Sequence, residues 1–110
     1  MSADLAILAA LPGIAGLLHH RGGIILSQRL PADLTPDHAA ALCTAVSRAF
    51  ANYAGAGRAL REAWFAFPGR SVLVVARPAE TPEEFLTLFV TDHRAVAAIV
   101  RATGEFWSTR

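Results

Sequence analysis

Few side chains in this sequence are equipped for chemistry. There are four histidines, one cysteine and a scatter of acids. His19 and His20 are adjacent. On a strand, neighbouring side chains point to opposite faces, so the two rings could not easily reach one ion. His38 and His93 stand near the starts of two separate helices. No Cys/His spacing matches a zinc site, so no metal is expected and the histidines read as ordinary surface residues. Cys43 lies at the edge of a helical apolar arc and reads as a small buried thiol, not a nucleophile. Glu83-Glu84 is the one local pair of acids; on a proline-bounded loop it reads as solvation. Gly13, Gly16, Gly22 and Gly23 match neither the GxxxxGK[ST] nor the GxGxxG phosphate loop, and turn or bulge roles suffice for them. No catalytic constellation emerges, and neither an enzyme nor a cofactor is expected.

Composition narrows the alternatives. The 110 residues suit one domain, 1–110, with a core over about 5–103 and a short tail at 104–110. The hydrophobic share is 54% and the charged share 17%, against typical values of about 45–50% and about 25%. That balance excludes a disordered chain. Ten basic and nine acidic residues leave a net charge of +1, so no global field recruits nucleic acid or anionic lipid. All ten basic residues are Arg, which fits partly buried contacts but equally a GC-rich genome. A single cysteine cannot make an internal disulfide. No apolar run is long enough to span a membrane, and Asp4 sits where a signal peptide would be positive. The expectation is a cytoplasmic protein that does not insert into membranes.

The elements that must position these residues follow from local signals. Ala3–Ala10 reads as a short helix stopped by Pro12-Gly13. Ile14–His19 and Ile24–Ser27 read as strands, joined by a hairpin in which Arg21-Gly22-Gly23 supplies positive-φ residues. Thr35-Pro36 pairs a hydroxyl N-cap with proline at the first helical position, opening a helix that runs to about Ala54. Its core stripe reads as Leu42, Val46, Ala49 and Tyr53. Leu60–Phe67 is a third strand, Pro68-Gly69-Arg70 a second turn, and Ser71–Ala76 a fourth strand. A polar loop, Arg77–Glu84, leads to a fifth, Phe85–Val90. Thr91 caps a last helix with Asp92 in its first turn, presenting Val96, Ile99, Val100 and Thr103 and ending at Gly104. Phe106-Trp107 then either packs back onto the domain or docks a partner. The order implies an α+β domain with one five-stranded antiparallel sheet and helices on its faces.

The middle helix carries the interaction signal. At 100° per residue its back holds Ala40, Thr44, Ser47 and Ala51, bordered by Arg48 and Asn52. Asp37 and Arg48 are its only formal charges. Small residues let another helix approach closely, so the helix reads as covered on both sides, most simply by a second copy in a twofold dimer. The competing reading is an Ala-rich surface helix of high intrinsic propensity. On the third strand Arg61, Ala63, Phe65 and Phe67 share one face, and Glu62, Trp64 and Ala66 the other. Aromatics on both faces imply that both are covered, and at a sheet edge this strand would need a partner.

Together these residues resemble the Roadblock/dynein light chain domain family over nearly the whole chain, from about Leu5 to Thr103. The resemblance rests on Leu11-Pro12-Gly13-Ile14-Ala15-Gly16, on Gly23-Ile24-Ile25-Leu26-Ser27, on the Ala/Leu-rich middle helix, on Pro68-Gly69-Arg70-Ser71-Val72-Leu73-Val74-Val75, and on the order of elements. The first turn, His20-Arg21-Gly22-Gly23, departs from the family's usual Asp-x-x-Gly style, and the Arg77–Glu84 loop is longer than in many members. The resemblance implies a profilin-like sandwich and a homodimer built on the middle helix and third strand, at Ala40, Thr44, Ser47, Arg48, Ala51 and Trp64. It also implies a non-enzymatic adaptor that binds a Ras-like small GTPase and modulates its nucleotide cycle. The alternative is a small-molecule sensor of profilin-like or PAS-like type, which would need a hollow between sheet and helix.

Overall fold

The computed structural model describes residues 2–79 and 82–110; Glu80 and Thr81, in the expected polar loop, lie outside them. The elements run α1 (Ala3–Ala9), β1 (Ile14–Arg21), β2 (Ile24–Arg29), α2 (Pro36–Gly55), β3 (Glu62–Phe67), β4 (Arg70–Ala76), β5 (Glu84–Val90) and, after a 3-10 turn at His93–Ala95, α3 (Val96–Ser108). The expected fold class is therefore present: α+β, in the order α-β-β-α-β-β-β-α, with one antiparallel sheet.

Capping chemistry sets where the helices start. Ser2 Oγ accepts from the Leu5 amide at 3.3 Å, and Thr35 Oγ1 accepts from the His38 amide at 3.2 Å, with Pro36 at the first helical position. Turn chemistry sets the hairpins. Gly22 takes φ 59° at the first central position between β1 and β2, where a II′ turn needs it, while Gly23 is not in the positive-φ region as expected of it. Between β3 and β4, Pro68 and Gly69, the latter at φ 75°, fill the two central positions of a type II turn.

The strand order is β2-β1-β5-β4-β3. β1 and β5, separated by most of the chain, pair from Ile14–Val90 to Arg21–Glu84 and make the sheet's centre. β2 and β3 are its two edges. Alternation along the strands feeds two cores. Leu18, Val74, Phe85 and Phe89 face α2 and pack on its Val46 and Phe50. Leu17, Leu73, Leu86 and Leu88 face the other way, onto α1 and α3.

The Leu11–Gly16 segment shows why glycine recurs in it. Gly13 adopts φ 87°, and a Cβ there would lie 2.9 Å from the Ala95 Cβ. Its carbonyl accepts from the Thr91 amide at 2.8 Å, tying the start of β1 to the end of β5. At Gly16 a Cβ would run into the Arg29 carbonyl and the Pro31 ring, so the chain leaving β2 can cross there only above a residue with no side chain.

Several sequence expectations are corrected. The buried stripe of α2 is Ala39, Cys43, Val46 and Phe50; of the expected set Val46 belongs to it, while Leu42 and Ala49 are half-buried and Tyr53 is exposed. The helix is rotated by roughly 60° from the expected phase, at 100° per residue. Its many alanines fit either phase, and the large Phe50, edge-on to Phe85 at a centroid distance of 4.9 Å, decides it. Thr91 does not cap the last helix: Asp92 caps the 3-10 turn by accepting from the Arg94 amide at 3.0 Å.

The last helix does not stop at Gly104 but continues to Ser108, and Phe106 and Trp107 pack back into the α1–α3 core. Burying two aromatics stabilises by several kcal/mol, which exceeds the cost of about 1 kcal/mol for a glycine in a helix. A Cβ at Gly104 would meet nothing within 4 Å. Gly104→Ala should therefore stabilise the domain by about 0.5–1 kcal/mol, read as a raised urea midpoint with unchanged slope.

Candidate interaction surface

Two of the polar groups singled out in the sequence have structural roles. The adjacent histidines diverge as expected. His20 faces the α2 side and is fully buried, with Nδ1 3.0 Å from the Gly22 carbonyl and Nε2 2.8 Å from the Thr87 hydroxyl. A carbonyl can only accept, so Nδ1 carries the proton and Nε2 accepts from Thr87. Burial pulls the His20 pKa below the ordinary 6.5, outweighing the Gly22 hydrogen bond, which raises it. His19 faces the opposite core, edge-on to Phe106 and Trp107. Burial lowers its pKa too, against an opposing pull from Glu84. At 3.7 Å that contact is too long for a hydrogen bond, and it becomes an ion pair only when the ring is protonated.

Both histidines are thus held neutral in the fold and protonate more readily in the unfolded chain. Stability is complete above about pH 6.5 and falls as pH drops below it, by about 1.4 kcal/mol per pH unit for each histidine fully coupled to folding. Urea midpoints measured from pH 7 to 5 should decline, and more steeply than in a His19→Gln variant.

Glu84 departs from the solvation expected of it. It is the first residue of β5, 8% exposed, and meets Arg21 at 3.1 Å and Arg77 at 3.4 Å. Opposite-charge pairing lets a carboxylate be buried at the end of a strand. Cys43 is fully buried, and burial pushes its thiol up to about 11, which leaves little thiolate for reaction at neutral pH.

Ser71 and His93 lie 3.4 Å apart through Oγ and Nε2. The neighbouring Asp92 spends its carboxylate on Arg94, at 3.1 and 3.3 Å. No hydrogen bond to a carboxylate orients the His93 ring among the described residues, so the pair lacks the third member of a nucleophilic triad. Among those residues no three of His, Cys, Asp and Glu gather as a metal site.

What remains is a surface. Of the residues expected at a dimer interface, Ala40, Thr44, Arg48 and Ala51 are exposed along α2 and Ser47 is half-buried. Thr44 and Ser47 lie on the flank beside the β1–β2 hairpin: a Cβ on Gly23 would sit 2.9 Å from Thr44 Oγ1, and Ser47 shares a cleft with Arg21 and Gly22. Trp64 projects from the other side of the sheet, where its ring meets His93 at 5.4 Å. The set is therefore divided between two faces, joined only through the edge strand β3.

Two residues were not included in that set. Tyr53 is 53% exposed on the α2 flank turned away from the hairpin, and Phe67 is 51% exposed on the α2 side of β3. The signal for Phe67 was the alternation of β3; Tyr53 was missed with the helix phase.

The chain is an antiparallel sheet with one long helix on one face and two shorter helices on the other. A solved Roadblock/LC7 domain from Streptomyces avermitilis is similar to this chain, with a TM-score of 0.59 at 14% identity over 93% of this chain and 92% of that one. At that identity the likeness shows the fold. No protein-family model and no curated protein matches the sequence.

Proposed function

We propose that this chain is a non-enzymatic homodimeric adaptor of the cytoplasm that binds a Ras-like small GTPase and modulates its nucleotide cycle. The observation that carries the dimer is the outer face of α2. A twenty-residue helix there exposes Ala40, Ala41, Thr44, Ala45 and Ala51, with Asp37 and Arg48 as its only formal charges, and the sheet has a second open feature in the edge strand β3. A solvated helix of that length normally carries more charge, and an open edge needs a partner. The proposed interface takes Ala40, Thr44, Ser47, Arg48 and Ala51 from α2 and Trp64 from β3, and Tyr53 and Phe67 add apolar area to it.

The GTPase reading is supported by the Roadblock fold and by the family resemblance of the Leu11–Gly16 and Pro68–Val75 segments. A rigid dimeric platform acts by binding the GTP-bound partner more tightly than the GDP-bound one, which shifts the population of its switch regions. The sensor alternative finds no support, because Phe50, Phe85, Leu18 and Val74 fill the space between α2 and the sheet.

Light scattering should give the mass of a dimer at micromolar concentration. Titration against a panel of Ras-like GTPases should find at least one that binds its GTP-analogue form at least tenfold more tightly. A strict monomer at high concentration overturns the dimer; absent or nucleotide-blind binding overturns the GTPase reading.

A further inference from the structure

The proposed dimer uses the β3 edge, and β2 is the other edge of the sheet. We propose that the β2 edge is a docking site for an extended, acidic segment of a partner protein, which adds to the sheet as a further strand. Among the described residues no backbone group of Ile24–Arg29 hydrogen-bonds outside the pairing with β1, so its outward amides and carbonyls are available to a ladder. Ile24 is 67% exposed and Leu26 46%, which leaves apolar contacts for an arriving strand. The pairing shifts register between His19 and His20, where Leu26 is the extra residue, and bulges are over-represented at sheet edges and beside functional sites.

The template is held rigid from behind. The buried His20 ring bonds the Gly22 carbonyl at the turn, Gly23 abuts Thr44 of α2, and the β1 side is fixed by pairing to β5. A pre-formed edge spares the ordering cost that a mobile one would impose on binding.

Charge selects the occupant. From Ile14 to Arg29 the hairpin carries no acid, and since His20 is buried and Arg21 is engaged by Glu84, the charge it offers a partner is that of Arg29. Arg29 is exposed and has no ion-pair partner among the described residues. Of the acids that follow in the chain, Asp33 is engaged by Arg70 at 2.8 Å. A second copy of β2 would bring its own Arg29 and no acid to this edge, leaving both arginines without a countercharge. An acidic strand meets the edge with complementary charge and the same backbone pairing.

The test uses a fluorophore-labelled, end-capped eight-residue peptide of alternating Glu and Val, titrated into the full chain at low salt. Saturable binding is expected, weakened at least tenfold by Arg29→Glu, by Ile24→Asp, and by replacing every Glu of the peptide with Lys. Hydrogen exchange should slow at the amides of β2. Neither variant should change the mass by light scattering, so failure here is distinguishable from failure of the dimer or GTPase reading. Absent binding, equal binding of the Lys peptide, or protection at β3 instead of β2 would overturn the proposal. So would concentration-dependent self-association beyond a dimer that Ile24→Asp abolishes, because it would assign the edge to a second copy.

Discussion

Phe50→Ala should cost about 3–5 kcal/mol, the largest loss expected of a single truncation in this domain. Phe50 is fully buried and sits edge-on to Phe85, which itself stacks on the His20 ring at 5.3 Å. Removing the ring leaves a void between α2 and the middle of the sheet that neither neighbour can fill, since Phe85 is held in a central strand and His20 by hydrogen bonds at both nitrogens. The cost therefore combines lost burial with a persistent cavity. Tyr53→Ala, one turn further along the same helix, should cost under about 1 kcal/mol in the isolated fold, because its ring is largely in solvent. Urea unfolding of the two variants checks both values. Equal losses would mean that the helix sits in the phase read from its sequence.

That contrast marks where the sequence was legible and where it was not. Glycine and proline signals at Gly22, Gly69 and Thr35-Pro36 placed the turns and the start of α2, because they act through local backbone geometry alone. Strand alternation put His19 and His20 on opposite faces and divided β3 correctly. The phase of α2 was not legible, since an alanine-rich helix offers several apolar arcs and only the partner surface chooses between them. The extent of α3 was hidden for a related reason: Gly104 looks like a helix end, and only the core formed by α1 and the sheet shows that Phe106 and Trp107 hold the helix together beyond it. Glu84 was misplaced because its partners are Arg21, reached through the long-range β1–β5 pairing, and Arg77, across the base of the loop. The candidate interface was half legible. The outer face of α2 could be read from its lack of charge, but which flank borders β3 depends on the helix phase.

The second large effect concerns that surface. A double variant, Ala45→Glu with Arg48→Glu, should dissociate the proposed dimer, raising its Kd on the order of a thousandfold, about 4 kcal/mol. Both positions are exposed in the single chain, so the substitutions meet water there and should leave the fold of the monomer intact. In a twofold interface every substitution appears twice. Four new acids would then face one another across the proposed contact, which alanine and threonine would otherwise line, and each would lose water without gaining a cation, because the same change removes Arg48 from both copies. Light scattering should report a monomer at concentrations where the parent chain is a dimer, while circular dichroism remains unchanged. If the GTPase binds the platform only as assembled, its affinity for the GTP-bound state should fall in the same variant. A variant that stays dimeric would mean that the copies meet elsewhere, and would separate the bare face of α2 from self-association.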